Sequence, residues 1–289
     1  MGRNSGRFWP KIIHSMNRIK KCCLLSLLSL FALLQAGCSD NITPDQPLVV
    51  IIKADDFNDY SPNWQRFIAI LQQNDISAAA GVTSTLISSN HSAIIKIREL
   101  SGLRRSNNQP LIEFWNHGYD HAGDNGDSPE FDNSDVDLQK KHLQLAQRFF
   151  SDSLHIIAKT FSAPHNRSTT ATLHALSCIP ELNVIMRYKN HEKFSLKRPW
   201  IDPNKKKFKP GDKICLNIKF QYLLDIPSTD VENYFKAGEK DNYLLIQLHP
   251  NPWDENDFND FQKMISFLKG KNVKFMTPDE YFQYLDVMN

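Results

Sequence analysis

Apolar runs of strand length alternate with amphipathic helical patterns from residue 48 to the end of the chain. This alternation limits the fold more than any other feature. Leu48-Val49-Val50-Ile51-Ile52-Lys53 is a continuous run of the kind covered on both faces. Further strands are predicted at Ile76 to Val82, Leu111 to Trp115, Ile156 to Phe161, Asn183 to Arg187, Ile214 to Ile218, Tyr243 to Leu248 and Val273 to Met276. Ser61-Pro62 caps a helix that carries Trp64, Phe67, Ile68 and Leu71. His91 to Leu100, Asp135 to Phe150, Thr169 to Leu176, a stretch near Thr229 to Phe235, and Phe258 to Leu268 read as further helices, and Thr277-Pro278-Asp279-Glu280 is a capping box that opens the last. Such alternation argues for parallel strands joined by crossovers, with no internal repeat and no second hydrophobic centre.

In folds of this class the carboxyl ends of the strands hold the active site. The polar residues with chemistry to offer fall at such ends: Asp55-Asp56, His117 and His121, His165 and His249. Each alone has an ordinary explanation, as a turn residue, a surface histidine or a hydrogen-bonded side chain. Together they would require four independent strand ends to supply a ligand or acid by chance. An His-x-x-x-His pair can close on one ion from a single turn of backbone. A zincin helix is excluded, because Gly118 stands where that motif needs a glutamate.

Composition is ordinary for a globular chain, at 41% hydrophobic and 23% charged residues. The net charge of +2 hides a split. Six of the 34 basic residues lie in 1–37, which holds no acid, leaving 28 basic against 32 acidic residues in the remainder. That balance speaks against a nucleic-acid partner. The basic start leads into the apolar run Cys22 to Ala36, shorter than the ~20 residues of a membrane-spanning helix and of signal-peptide form. Residues 1–38 read as a signal peptide with a lipobox-like end at Leu34-Gln35-Ala36-Gly37-Cys38, or as one that starts at Met16; 39–47 read as a tether and 48–289 as the working domain. Gln35 departs from the usual aliphatic residue, so cleavage by a general signal peptidase and an uncut anchor are the alternatives. Export to the periplasmic face of a bacterial membrane, or secretion, follows. After cleavage the cysteines are Cys38, Cys178 and Cys215, and the last two either pair or stay as thiols. Residues 187–213 carry ten basic and three acidic residues with three prolines and read as an irregular excursion.

The strand-end motifs resemble those of the polysaccharide deacetylases, the NodB-homology or carbohydrate esterase 4-like superfamily, over nearly all of 48–289. Ala54-Asp55-Asp56 is similar to the family's first motif, His117 to His121 to its second, and Gln247-Leu248-His249-Pro250 to its late histidine motif. The resemblance implies a distorted (β/α) barrel, with Asp56, His117 and His121 as metal ligands, Asp55 as catalytic base and His249 as general acid. The implied cofactor is a divalent metal, zinc first, with cobalt, nickel or manganese as alternatives. Two imidazoles and one carboxylate would leave such an ion open positions, as catalytic sites do. The family's third motif frays: Ser162-Ala163-Pro164-His165 stands where an arginine usually holds the catalytic aspartate, and Ser162 cannot do that. His165 is implied at the oxyanion or substrate, and Trp200 is the residue nearest to a fourth motif.

Three functions are compatible with this reading. The first is an exported metal-dependent hydrolase of C–N bonds that removes acetyl groups from an acetylated polysaccharide or oligosaccharide, held to the membrane through a lipid at Cys38. The second is a catalytically degenerate glycan-binding lipoprotein, for which Ser162 and the basic segment 187–213 argue. The third is a metallohydrolase acting on a non-sugar C–N bond.

Overall fold

The computed structural model describes residues 46–122, 128–133, 135–188, 196–222 and 228–288. The stretch read as a signal peptide, Cys38 and most of the stretch read as a tether lie outside them. Residues Pro47–Asn289 form one compact unit. Its strands are β1 (Leu48–Ala54), β2 (Ala78–Val82), β3 (Ile112–Asn116), β4 (Thr160–Phe161), β5 (Val184–Arg187), β6 (Trp200–Ile201), β7 (Lys213–Gln221), β8 (Tyr243–Leu248) and β9 (Val273–Phe275). The helices are α1 (Pro62–Asn74), α2 (Ser84–Ser88), α3 (His91–Ser101), α4 (Val136–Phe149), α5 (Thr170–Ser177), α6 (Ser228–Lys236), α7 (Glu255–Lys269) and α8 (Pro278–Val287). Among the described residues no helix is long and apolar enough to cross a membrane.

Hydrogen-bonded neighbours run β2-β3-β4-β5-β7-β8-β1, and β1 pairs with β2 to close the ring. All seven are parallel, as the alternation implied, and the sheet is a closed barrel wrapped by helices, as the family resemblance implied. The short strands β6 and β9 add to β7 and β1 near their starts. Strand side chains alternate between faces. Val49 and Ile51 of β1 pack inside the barrel with Trp115, Val184, Met186, Leu216, Tyr243 and Leu245, whereas Val50 and Ile52 face the helices. The interior is therefore a packed core. Helix α8 plugs its lower end, where the Tyr281 ring lies 5.7 Å from that of Tyr243.

Two expectations change. The strand predicted over Ile156 to Phe161 shrinks to Thr160–Phe161, because a π turn at Phe150–Leu154 continues α4 and leaves Ile157 65% exposed. The excursion 187–213 contains a strand, β6, where Trp200 and Ile201 are buried. Cys178 is exposed, Cys215 is buried, and no disulfide joins them.

At the lower end Glu113 of β3 accepts from the Thr160 hydroxyl at 2.5 Å and from the Asp279 N–H, which opens α8, at 2.9 Å. Burial, with help from the nearby Asp279 charge, pushes the Glu113 carboxyl up to about 7. A native acid with a raised pKa keeps its proton where the unfolded chain has lost it. Its contribution is therefore full below about 4.5, the unfolded value, and is lost as pH climbs toward 7. Glu113→Gln should remove this slope. The melting temperature of the variant, measured relative to wild type, should rise between pH 4.5 and 7.5, and a constant difference would refute the assignment.

Candidate metal centre and active site

Alternation along β1 and β8 aims every second residue into the barrel, in successive layers. The register pairs Val49 with Tyr243, Ile51 with Leu245 and Lys53 with Gln247. The next inward positions, Asp55 and His249, lie just past the strand ends. A regular strand would send Asp56 the other way. Asp56 instead adopts φ 62°, a left-handed turn that aspartate tolerates, and both carboxylates face the same site. On β3 the inward residues are Trp115 and then His117, whose ring stands edge-on to the indole at 4.8 Å. Gly81 of β2 makes room for that indole, since a Cβ there would lie 2.5 Å from its Cζ2.

His117 Nε2 lies 3.4 Å and His121 Nε2 3.5 Å from Asp56 Oδ1. Donor atoms on a tetrahedral ion with bonds of about 2.1 Å stand roughly 3.4 Å apart, so these separations suit an ion among them. The His117 Nδ1 is 2.9 Å from the Ser162 carbonyl, which can only accept. That fixes the hydrogen on Nδ1 and turns the Nε2 lone pair toward Asp56. Asp56 Oδ1 itself is buried without a hydrogen-bond partner. Burial alone would push the Asp56 carboxyl up, yet the two imidazoles hold it far below the usual carboxylate range. An orphaned carboxylate oxygen facing two imidazole nitrogens fits a divalent cation.

The loop that carries His117 and His121 is braced from behind. Gly118, at φ 83°, packs so closely that a Cβ would sit 2.5 Å from Glu130 Oε2. The buried Glu130 carboxylate accepts from the N–H groups of Tyr119 (2.9 Å) and Asp120 (3.3 Å) and bonds His142 Nδ1 at 2.9 Å. Its hydrogen bond raises the pKa of His142. Asp120, Glu130 and His142 also bring three donor atoms within 4.8 Å of one another. The Glu130 oxygens, however, are already taken by backbone N–H groups, so this trio serves as scaffold.

Asp55 is held from below. Lys53 Nζ lies 2.5 Å from both of its oxygens, and the Gln247 amide donates to Oδ2 at 2.9 Å. Asn166 in turn donates to Gln247 Oε1 at 2.9 Å. Burial pushes the Lys53 ammonium down, and the Asp55 and Asp56 charges oppose this. Across the cleft, His249 Nε2 stands 3.8 Å from Asp55 Oδ2 and 3.9 Å from Asp56 Oδ2, while its Nδ1 faces the Tyr222 carbonyl at 3.3 Å.

The structure thus brings Asp55, Asp56, His117, His121 and His249 together. His165 joins them at the rim, exposed, at φ 56°, with its ring 4.6 Å from that of His121. Trp200 does not join them. It lies at the start of β7, 2% exposed, its Nε1–H donating to Ser177 of α5 at 3.2 Å, where it fills the outer core. The lysine-rich run 205–209 is also remote. Pro203 and Asn204 accept hydrogen bonds from Asn242 at 2.8 and 2.7 Å. Asn242 precedes β8, seven residues from His249, which at a strand rise of about 3.3 Å per residue puts it on the order of 20 Å away. Lys53, Gln247, Asn166, Glu130 and His142 escaped the sequence reading. The one available signal was Lys53, a lysine at an inward position of an otherwise apolar strand.

No protein-family model matches the sequence, and no curated protein does either. Among solved structures, a family 4 acetyl xylan esterase from Clostridium thermocellum in complex with a cobalt ion superposes with a TM-score of 0.52 at 16% identity, covering 82% of this chain and 94% of that one. A carbohydrate esterase family 4 pseudoenzyme from Bacillus anthracis gives 0.50 at 13% identity, and the chain spans 66% of its length with 84% of its own. The fold is that of the carbohydrate esterase 4 deacetylases. A 4-alpha-glucanotransferase from Thermococcus litoralis shares the architecture too, at TM-score 0.56 and 11% identity over 82% of this chain and 40% of that one. The esterase-type barrel therefore carries more than one chemistry, and the reaction has to be argued from the side chains.

Proposed function

We propose that the chain is an exported, metal-dependent carbohydrate deacetylase acting on an acetylated polysaccharide or oligosaccharide. The observation that carries this reading is the set Asp56, His117 and His121 converging beside Asp55 and His249 at the open end of the barrel. A divalent ion held by those three residues would lower the pKa of water and polarise the acetyl carbonyl. Asp55, the neighbour of Asp56 in sequence and site, takes the proton of the attacking water. His249, anchored through Nδ1 to the Tyr222 carbonyl, presents Nε2 to the leaving group and protonates it. The backbone at His165 is the surface against which the developing oxyanion would lie.

Export rests on the basic, apolar leader, with lipidation at Cys38 as the means of retention on the membrane. Zinc is the metal expected from this donor set. Against a glycan-binding protein without turnover, Asp55 is held at both oxygens despite Ser162, and the lysine run lies at the other end of the barrel. The purified 39–289 fragment loaded with Zn²⁺ or Co²⁺ should release acetate from a panel of N- and O-acetylated glycans. Release from simple acetamides alone would favour the non-sugar amide hydrolase. No release from any substrate, with metal demonstrably bound, would sink the proposal.

A further inference from the structure

We infer that Lys53 is the positioning residue of the active site: from inside the barrel it fixes the carboxylate of Asp55, with Gln247 as its partner. This rests on the deacetylase reading for Asp55's role as base, though the geometry stands without it. Lys53 is 0% exposed and occupies an inward layer whose neighbours below, Val49, Ile51, Tyr243 and Leu245, form the barrel core. An unpaired ammonium buried there would be strongly unfavourable, and a hydrophobic residue would fill the layer more stably. What offsets the cost is a fork. Both Asp55 oxygens lie 2.5 Å from Nζ, and a carboxylate gripped at both oxygens cannot rotate about its last bond. Gln247, in register with Lys53 on the adjacent strand, donates a further bond to Oδ2. Asn166 sets the orientation of that amide through Gln247 Oε1. The Trp115 ring, 5.0 Å from Nζ, covers the ammonium on another side.

Lys53 does not itself reach the cleft. Its ammonium is sealed behind Asp55, so it acts on the reaction only through that side chain. The aspartate and its support come from the same strand, two residues apart, and leave Ser162 free of the task. Its carbonyl orients His117 instead.

The test uses Lys53→Met, which keeps the stem and removes the charge, and Gln247→Leu, which removes the second bond without leaving a buried charge. Both are made in the 39–289 protein. Co²⁺ affinity, measured with the metal alone, should stay within about threefold of wild type for each. With whichever acetylated glycan the wild type turns over, kcat should fall roughly 10² to 10⁴-fold for Lys53→Met and about tenfold for Gln247→Leu, with KM little changed. Lys53→Arg, which retains a charged donor, should recover part of the loss. Crystal structures of the variants should show the Asp55 carboxylate rotated or in two conformers. A wild-type kcat in Lys53→Met, or an unmoved Asp55 in its structure, would overturn the inference. If Lys53→Met does not fold, an unmoved Asp55 and an unchanged kcat in Gln247→Leu would overturn it. A wild type without acetate release would remove the deacetylase reading and leave the structural arm to decide the role of Lys53.

Discussion

Asp56→Ala and His117→Ala are each expected to lose tight metal binding while keeping the fold. Three protein donors converge on one point, with Asp56 Oδ1 at 3.4 and 3.5 Å from the two imidazole nitrogens. Removal of any one leaves a two-donor site. Substitutions one shell further out commonly cost 10–100-fold in affinity, so loss of a donor itself should cost at least about 100-fold. The fold should survive, because both residues follow strand ends and neither belongs to a core cluster. Removing Asp56 also relieves a buried oxygen that has no hydrogen-bond partner. Metal content after dialysis, with Co²⁺ absorption as the readout, separates the outcomes. Equal cobalt stoichiometry and affinity in wild type and both variants would show that these residues are not the ligands. His121→Ala provides the third arm, and Glu130→Gln should have an intermediate effect, because Glu130 grips the Tyr119 and Asp120 N–H groups between the two histidines.

Much of this arrangement was legible in the sequence, for reasons that differ by element. β1, β3 and β8 are buried on both faces, so each reads as a mostly apolar run, and the residues that follow them could be placed at a common end of the sheet. β4 was overextended, since Ile156 and Ile157 look like strand residues although only Phe161 pairs with β3. β6 was missed because two residues give no period to detect. The candidate ligands were visible as motifs. Their supports were not, because Glu130, His142 and Asn166 act through contacts distant in sequence. Lys53 was absorbed into its apolar run, and only the alternation inside a closed barrel shows that it points at Asp55. The departure at Ser162 looked like lost function for the same reason. A missing arginine can be read from a motif, whereas the contact of Lys53 with both Asp55 oxygens requires coordinates.

Asp55→Asn should separate binding from turnover. The substitution leaves the three ligands in place, so Zn²⁺ or Co²⁺ affinity should change by less than about tenfold. In the proposed mechanism it removes the group that accepts the proton of water, and positioned acid–base groups contribute typically 10²–10⁴-fold, so acetate release should fall by roughly that factor. The same change strands the Lys53 ammonium in the barrel. Breaking a buried pair by neutralising one partner costs about 3–5 kcal/mol, because the other charge stays buried without compensation. The single variant should therefore melt well below wild type. Lys53→Met combined with Asp55→Asn removes both charges and should regain most of that stability, since two neutral side chains need no mutual compensation in an apolar layer. It should regain none of the activity. That divergence is what distinguishes a catalytic aspartate from a structural one: stability follows the balance of charge, and turnover follows Asp55. If the double variant recovered acetate release along with its melting temperature, Asp55 would be a scaffold residue and the base would have to be sought elsewhere in the cleft, with His249 first because its Nε2 already faces both carboxylates at under 4 Å.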